Sequence, residues 1–536
     1  MMKSVKFRLI ALVLAVAMLL TGCALDFGGY FTRLANVFRP VSFENMSYTR
    51  PDAALLDEAL GPCLESAKGK DINKLVGHIN TLNAICNTFQ TSYYLSYIHY
   101  SIDMTDSYWE TEYNFCSQII PRMQATIDEL LYALAASPLR EELEDEAYFG
   151  PGYFDDYDGE SFWTEEFTAL KDRETELLNE YYRLSSFSTP MDVQSETFYS
   201  TVGAQMEQVY ADLVKVRLEL ATEAGFSSYA EYAYKVTYDR DYTHQQAGKL
   251  LEDIRQELPG LYAKLPLGDI TTNVTGSSEA QTLQYVQTMA QAMGGVAQEA
   301  FSTMEKRNLY HISYSPNKIG ASYTVYLPDY QAPFILINPT LTTYDRLTLA
   351  HEFGHFCSDF VSGGSITSID IGEIFSQGME YLSLCYADGG SQMTTLKLAD
   401  SLCIYVEQAF LADFEERVYG MKSEELTPEN IRALYGQVAG EYGLGELVDN
   451  RGYVNVNHLF SSPLYVISYV VSHDAAMQLY QMETTTKGTG LDCYNSMLTT
   501  QQTGLLAFLE ETGLKSPFEE GHIKSLRELF EKSLNL

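Results

Sequence analysis

Apolar residues recur at three- and four-residue intervals through almost the whole chain, and one short stretch, 309–338, breaks that rhythm with β-branched and aromatic runs. A chain patterned in this way is confined to a mainly α fold with one small sheet. Helical spacing runs through Arg50–Lys68, Asp71–Phe89, Pro121–Ala136 and Phe162–Leu184, each ending near Gly, Pro or Ser, and then through Glu196–Ala224. The acidic, aromatic, glycine-bearing segment Glu144–Glu160 reads as a loop. Strands are expected at Leu309–Ser315, Ala321–Leu327 and Pro333–Asn338, with Asn317-Lys318, Pro328-Asp329 and Asn338-Pro339 as turns, and they suggest a small antiparallel sheet. Helical spacing resumes at Thr343 and continues to Leu536.

Charge narrows the partners. The 536 residues carry 35 Lys and Arg against 72 Asp and Glu, a net −37, and no basic run long enough to follow a phosphate backbone. Nucleic acid is therefore excluded as a partner, and attraction to anionic lipid is disfavoured. Hydrophobic residues make up 46% of the chain, which suits a folded, water-soluble body.

The N-terminus has a different character. Lys3, Lys6 and Arg8 precede an apolar stretch from Leu9 to Leu20, followed by Leu20-Thr21-Gly22-Cys23. This resembles a bacterial lipoprotein signal, in which the cysteine thiol accepts a lipid before cleavage. The apolar stretch falls short of the ~20 residues that span a bilayer. The expected organisation is a signal peptide over 1–22, a tether over 23–45, an N-terminal helical region over 46–195 and a catalytic region over 196–536. Membrane attachment is expected only through a lipid on Cys23, on the outer face of a bacterial cell membrane. The other cysteines, Cys63, Cys86, Cys116, Cys357, Cys385, Cys403 and Cys493, show no CxxC spacing and read mostly as buried core residues.

The chemistry concentrates in His351-Glu352-Phe353-Gly354-His355. On a helix, residues four apart share a face, so the two imidazoles can meet one ion, and zinc suits two neutral imidazoles. Glu352 points away from that pair and is placed to act as general base. Thr342 or Thr343 can cap the helix. A surface helix with two incidental histidines is the competing reading. A zinc site of this kind needs a third protein ligand, and Glu373 and Glu380, seven apart in an apolar segment, are the candidates: one can ligate while the other steadies a histidine.

Motifs on both sides of HEFGH resemble the M3 family of zinc peptidases, which includes thimet oligopeptidase and the bacterial oligoendopeptidase F group. They are Lys318-Ile319-Gly320-Ala321-Ser322-Tyr323, Leu327 to Ile335 (LPDYQAPFI), Thr348 to His355, and upstream Leu218 to Thr243, with its Arg240-Asp241-Tyr242. Glu373 in GEIFSQGME falls where the family's third zinc ligand stands. Asn457 to Tyr469 (NHLFSSPLYVISY) resembles the segment whose histidine and tyrosines face the zinc. Val466 stands where the family usually has a tyrosine, which leaves Tyr469 as the oxyanion donor beside His458, with Tyr465 as a further candidate. HEFGH and Glu373 are also closer together than in better-known members.

The resemblance implies two helical lobes flanking a deep channel, and an endopeptidase acting on internal bonds of short oligopeptides. Zinc would be held by His351, His355 and Glu373, with Glu352 as base. The rival function is a catalytically inactive surface lipoprotein that binds peptides. The complete set of base, ligands and donors argues against it.

Overall fold

The computed structural model of the chain describes residues 41–145, 148–150, 152–154, 157, 164–185, 195–266, 274–365, 368–387, 390–500 and 502–536. The lipoprotein-like signal and Cys23 lie outside these residues, as do most of the predicted tether and part of the 144–160 loop. The described residues divide into two compact units, each drawn from separate stretches of sequence: those within 41–157 and 277–365, and those within 164–276 and 368–536. Among the described residues no helix is long and apolar enough to cross a membrane.

The unit containing HEFGH starts with the helices Ala54–Ala67, Ile72–Ile102, Ser107–Ser117 and Ile120–Ala135. Leu56, Leu75, Leu82, Leu130 and Leu134 are fully buried in one apolar core there. The helical spacing of the sequence comes from this packing. Later in the chain come the helices Glu279–Met293 and Gly295–Lys306, and then the strands β1 (Tyr310–His311), β2 (Ser322–Leu327) and β3 (Ala332–Ile337).

The sheet has the order β1-β3-β2 and is mixed, which corrects the antiparallel expectation. β2 and β3 pair antiparallel from Ser322↔Ile337 to Leu327↔Ala332 around a turn at Pro328–Tyr330. β1 lies parallel to β3, with Tyr310 opposite Ile335. It is also much shorter than the apolar run from Leu309 to Ser315 suggests, for a side-chain reason. The buried Lys318 ammonium donates to the carbonyls of His311 (2.8 Å), Ser313 (3.1 Å) and Ile337 (2.5 Å), and the Asn338 side chain bonds Ser315 in both directions. Side chains thus take the main-chain groups that a longer ladder would have used.

The HEFGH helix, Asp345–Ser362, packs on β2, β3 and the two helices before the sheet. Neither Thr342 nor Thr343 caps it. The N-cap position is Tyr344, and the Asp345 carboxylate reaches back to the main-chain N–H groups of Thr340 (2.9 Å) and Thr342 (3.1 Å). The helix stops at Gly363, whose φ of +70° a glycine adopts without strain.

In the other unit the central pair is Ile369–Tyr386, which carries Glu373, and Ile467–Thr485. They approach closely at Gly378, where a Cβ would stand 2.9 Å from Leu479 Cδ1. Gln377 donates to Ser472 across the same face (3.0 Å), and Tyr381 and His473 are hydrogen-bonded at 2.9 Å. The long helix Gly390–Tyr419 packs against both.

Candidate active site

One turn of the HEFGH helix separates His351 from His355, and their rings stand edge to face, 5.1 Å apart at an interplanar angle of 81°. His351 and Glu352 are buried, and His355 is half-buried. Two imidazoles presented side by side in this way fit a divalent first-row ion, as the residue types alone suggested. Glu352 leans toward the sheet. The Thr324 hydroxyl on β2 lies 2.8 Å from Glu352 Oε2 and 3.0 Å from its carbonyl oxygen. The sequence offered no sign of Thr324 beyond its place in a strand.

In the other unit Glu373 is buried on its helix. Tyr465 donates its hydroxyl to Glu373 Oε1 at 3.3 Å, and Ser376 Oγ lies 2.9 Å from Oε2. Burial, reinforced by Tyr469 and by the Glu373 charge, holds the Tyr465 hydroxyl far above its ordinary pKa, so it stays a donor. His458 stacks on the Tyr465 ring at 14° and 5.5 Å, and its Nε2 lies 3.4 Å from the Tyr469 hydroxyl. His458, Tyr465, Tyr469 and Glu373 therefore form one cluster. Val466 packs into it as an apolar residue beside Tyr465 and Tyr469.

Glu380 has a different neighbour. Its Oε2 lies 2.8 Å from the Lys397 ammonium, whose side chain is wholly buried and also faces Asp400 at 3.3 Å. That ion pair accounts for a carboxylate among apolar residues. Lys397 attracts no notice in the sequence, because nothing in the spacing brings position 397 to position 380.

HExxH on a helix, with two histidines one turn apart and a glutamate beside the first, is the pattern of a metal-dependent hydrolase. Two family descriptions match the chain: Peptidase M3 N-terminal domain over residues 43–159 and Peptidase family M3 over residues 298–526. The chain belongs to peptidase family M3 and is a metallopeptidase, and membership implies a divalent metal, typically zinc. No curated protein matches the sequence. Several solved structures share the fold. PZ peptidase A, solved with inhibitor 2, is 20% identical, with a TM-score of 0.81, over 92% of this chain and 99% of that one. A protein assigned as oligoendopeptidase F from Bacillus anthracis str. Ames is 22% identical at a TM-score of 0.78, over 92% and 98%. Oligoendopeptidase-F from Enterococcus faecium is 14% identical at 0.56, over 90% and 96%.

Proposed function

We propose that the chain is a zinc-dependent endopeptidase that cleaves internal bonds of short oligopeptides, with His351, His355 and Glu373 as metal ligands and Glu352 as general base. The observation that carries this reading is the HEFGH helix itself, where two facing imidazoles stand beside a carboxylate oriented by Thr324. The ligand set is supported by donor chemistry, since two imidazoles and one carboxylate suit zinc. Bound zinc supplies Lewis acidity to the scissile carbonyl and to water. Glu352 takes the proton of the attacking water and passes it to the leaving amine. His458 and Tyr469 donate hydrogen bonds to the carbonyl oxygen as it gains charge, each worth roughly 2 to 4 kcal/mol of barrier. Tyr465, bonded to Glu373, sets the orientation of that ligand. Because β2 is an edge strand, it suits an extended peptide that adds to it through main-chain bonds, which read any sequence.

Short peptides are proposed as substrates because the similar structures include proteins named oligoendopeptidase F. A surface location, through a lipid on Cys23, rests on the lipobox-like Leu20 to Cys23. In a bacterial host, Cys23→Ala should move the protein from the membrane fraction to the soluble fraction, and unchanged fractionation would remove the lipid anchor.

The test of the chemistry is zinc content together with cleavage of quenched fluorescent peptides. Wild type should bind one zinc and cleave, and Glu352→Gln should keep the metal but lose activity by about a thousandfold or more. Glu373→Gln should lose zinc, whereas Glu380→Gln should keep it. Failure to hold zinc after loading sinks the metal assignment, and zinc without cleavage of a diverse peptide pool favours a peptide-binding role.

A further inference from the structure

Leu464, between Pro463 and Tyr465, has a φ of +62° and is 3% exposed. A leucine in the left-handed region is strained and persists only where its surroundings hold it. Here both sides of the residue are held. Its N–H donates to Glu415 Oε1 (2.8 Å), its carbonyl accepts from Arg240 Nη1 (3.0 Å), and the Pro463 carbonyl accepts from the Tyr238 hydroxyl (2.8 Å). The second terminal nitrogen of Arg240 donates to Ser468 Oγ (2.8 Å), the residue before Tyr469.

The same guanidinium lies 4.4 Å from the Tyr234 and Tyr238 ring centres and faces Asp370 at 3.6 Å. Asp370 sits one turn before Glu373 on the same helix, and the Arg240 and Asp370 side chains are 1% and 4% exposed. One buried cation therefore touches the helix that carries Glu373 and the turn that carries Tyr465 and leads to Tyr469. A second buried arginine offers a contrast. Arg217 also donates to this segment, at the Leu459 and Phe460 carbonyls, but its partners are Glu174 and Tyr419. It anchors the segment to the scaffold without touching the Glu373 helix.

We propose that Arg240 is a positioning residue for peptide hydrolysis: by clamping the strained Leu464 turn to Asp370, it sets the Tyr465 and Tyr469 hydroxyls in register with the Glu373 carboxylate. The inference rests on the roles given above to Glu373 and the two tyrosines. A guanidinium is needed because it donates in several directions within one plane, which an ammonium cannot reproduce.

The experiment uses the zinc-loaded full chain. Arg240→Gln should retain its zinc and lower kcat by about 100-fold, with KM changed less than about threefold, since a small displacement of donors acts on the transition state. Arg240→Lys should recover part of the loss. Because Arg240 acts through the tyrosines, the double variant Arg240→Gln/Tyr469→Phe should lose little more than the worse single variant. A folded Arg240→Gln enzyme with kcat within about threefold of wild type, or losses that multiply in the double variant, would overturn the proposal. If Arg240→Gln does not fold, Tyr238→Phe decides, since it removes only the hydroxyl that holds Pro463. It should lower kcat by about five- to tenfold, and not further in a Tyr469→Phe background. Unchanged kcat in Tyr238→Phe overturns the clamp. The visible spectrum of the Co2+-loaded chain reads the metal environment apart from turnover. If Tyr469→Phe alone cleaves at the wild-type rate, the oxyanion reading has failed rather than the clamp, and this spectrum then decides: shifted in Arg240→Gln it supports the clamp, unchanged it overturns it.

Discussion

The Thr324 hydroxyl stands 2.8 Å from one oxygen of Glu352, so the proposed base is held by a group on a strand rather than by its own helix. Thr324→Val keeps the shape and removes the hydrogen bond. The expected result is a loss in kcat of about tenfold, roughly 1.4 kcal/mol, with zinc content unchanged, read by steady-state kinetics. Lys397 shows the other consequence of a buried polar contact. Its partner Glu380 is nearly buried, so Lys397→Met leaves a carboxylate without its cation and should destabilise the fold by about 3 to 5 kcal/mol in denaturant unfolding. Adding Glu380→Gln should return part of that loss, because the uncompensated charge is then gone. Neither residue could be assigned from its neighbours in sequence, since both act across contacts of 17 residues or more.

At the scale of elements, the helices around Glu373 are set by two glycines that differ in what they face. A methyl at Gly378 would meet Leu479 Cδ1, the free end of a side chain that can turn aside. A methyl at Gly490, in the helix Thr489–Met497, would meet the carbonyl oxygen of Leu479 and the Glu483 backbone. Gly378→Ala should therefore change stability by about 1 kcal/mol or less, and Gly490→Ala should cost about 3 kcal/mol, as measured by thermal unfolding. Equal effects would show that the second helix can slide. Glycines inside helices are visible in a sequence, but which one faces main chain is not. The run Arg240-Asp241-Tyr242 behaves likewise. Arg240 holds the Leu464 turn, Asp241 accepts the N–H groups of Leu506 and Ala507 at the start of the helix Leu505–Thr512, and Tyr242 packs on Phe518. The three neighbours serve three separate contacts, which the motif alone does not reveal.

For the whole molecule, a chain with net charge −37 that buries acids should respond to pH on both sides. Burial pushes Glu415 up to about 8, against the Leu464 N–H and Arg217, and pushes Glu407 up to about 7. Their folded pKa values lie above the unfolded ones, so the native state holds extra protons, and stability falls as pH rises from about 4.5 through about 8. Glu174 is the reverse case. Burial opposes its charge, but Lys171 and Arg217 outweigh it and hold the carboxyl down to about 2. Its contribution is present above about 4.5 and is lost as pH falls toward 2. The melting temperature should therefore peak in mildly acidic buffer and decline toward pH 8.5, where added salt should recover part of the loss by screening repulsion. Glu407→Gln with Glu415→Gln should flatten the alkaline side, and an unchanged slope would contradict the assignment.

The sequence by itself determined the helical class, the place of the small sheet, the HEFGH helix and the family, because these follow from periods and spacings that a linear chain displays. It also singled out Glu373, His458, Tyr465 and Tyr469 through motif position. Tertiary structure alone decided the parallel pairing of β1, the commitment of Glu380 to Lys397, the Thr324 contact and the Arg240 clamp. All of these are hydrogen bonds or ion pairs between residues far apart in the chain. Their energy depends on distance, angle and exclusion of water, and those quantities exist only once the chain has closed on itself.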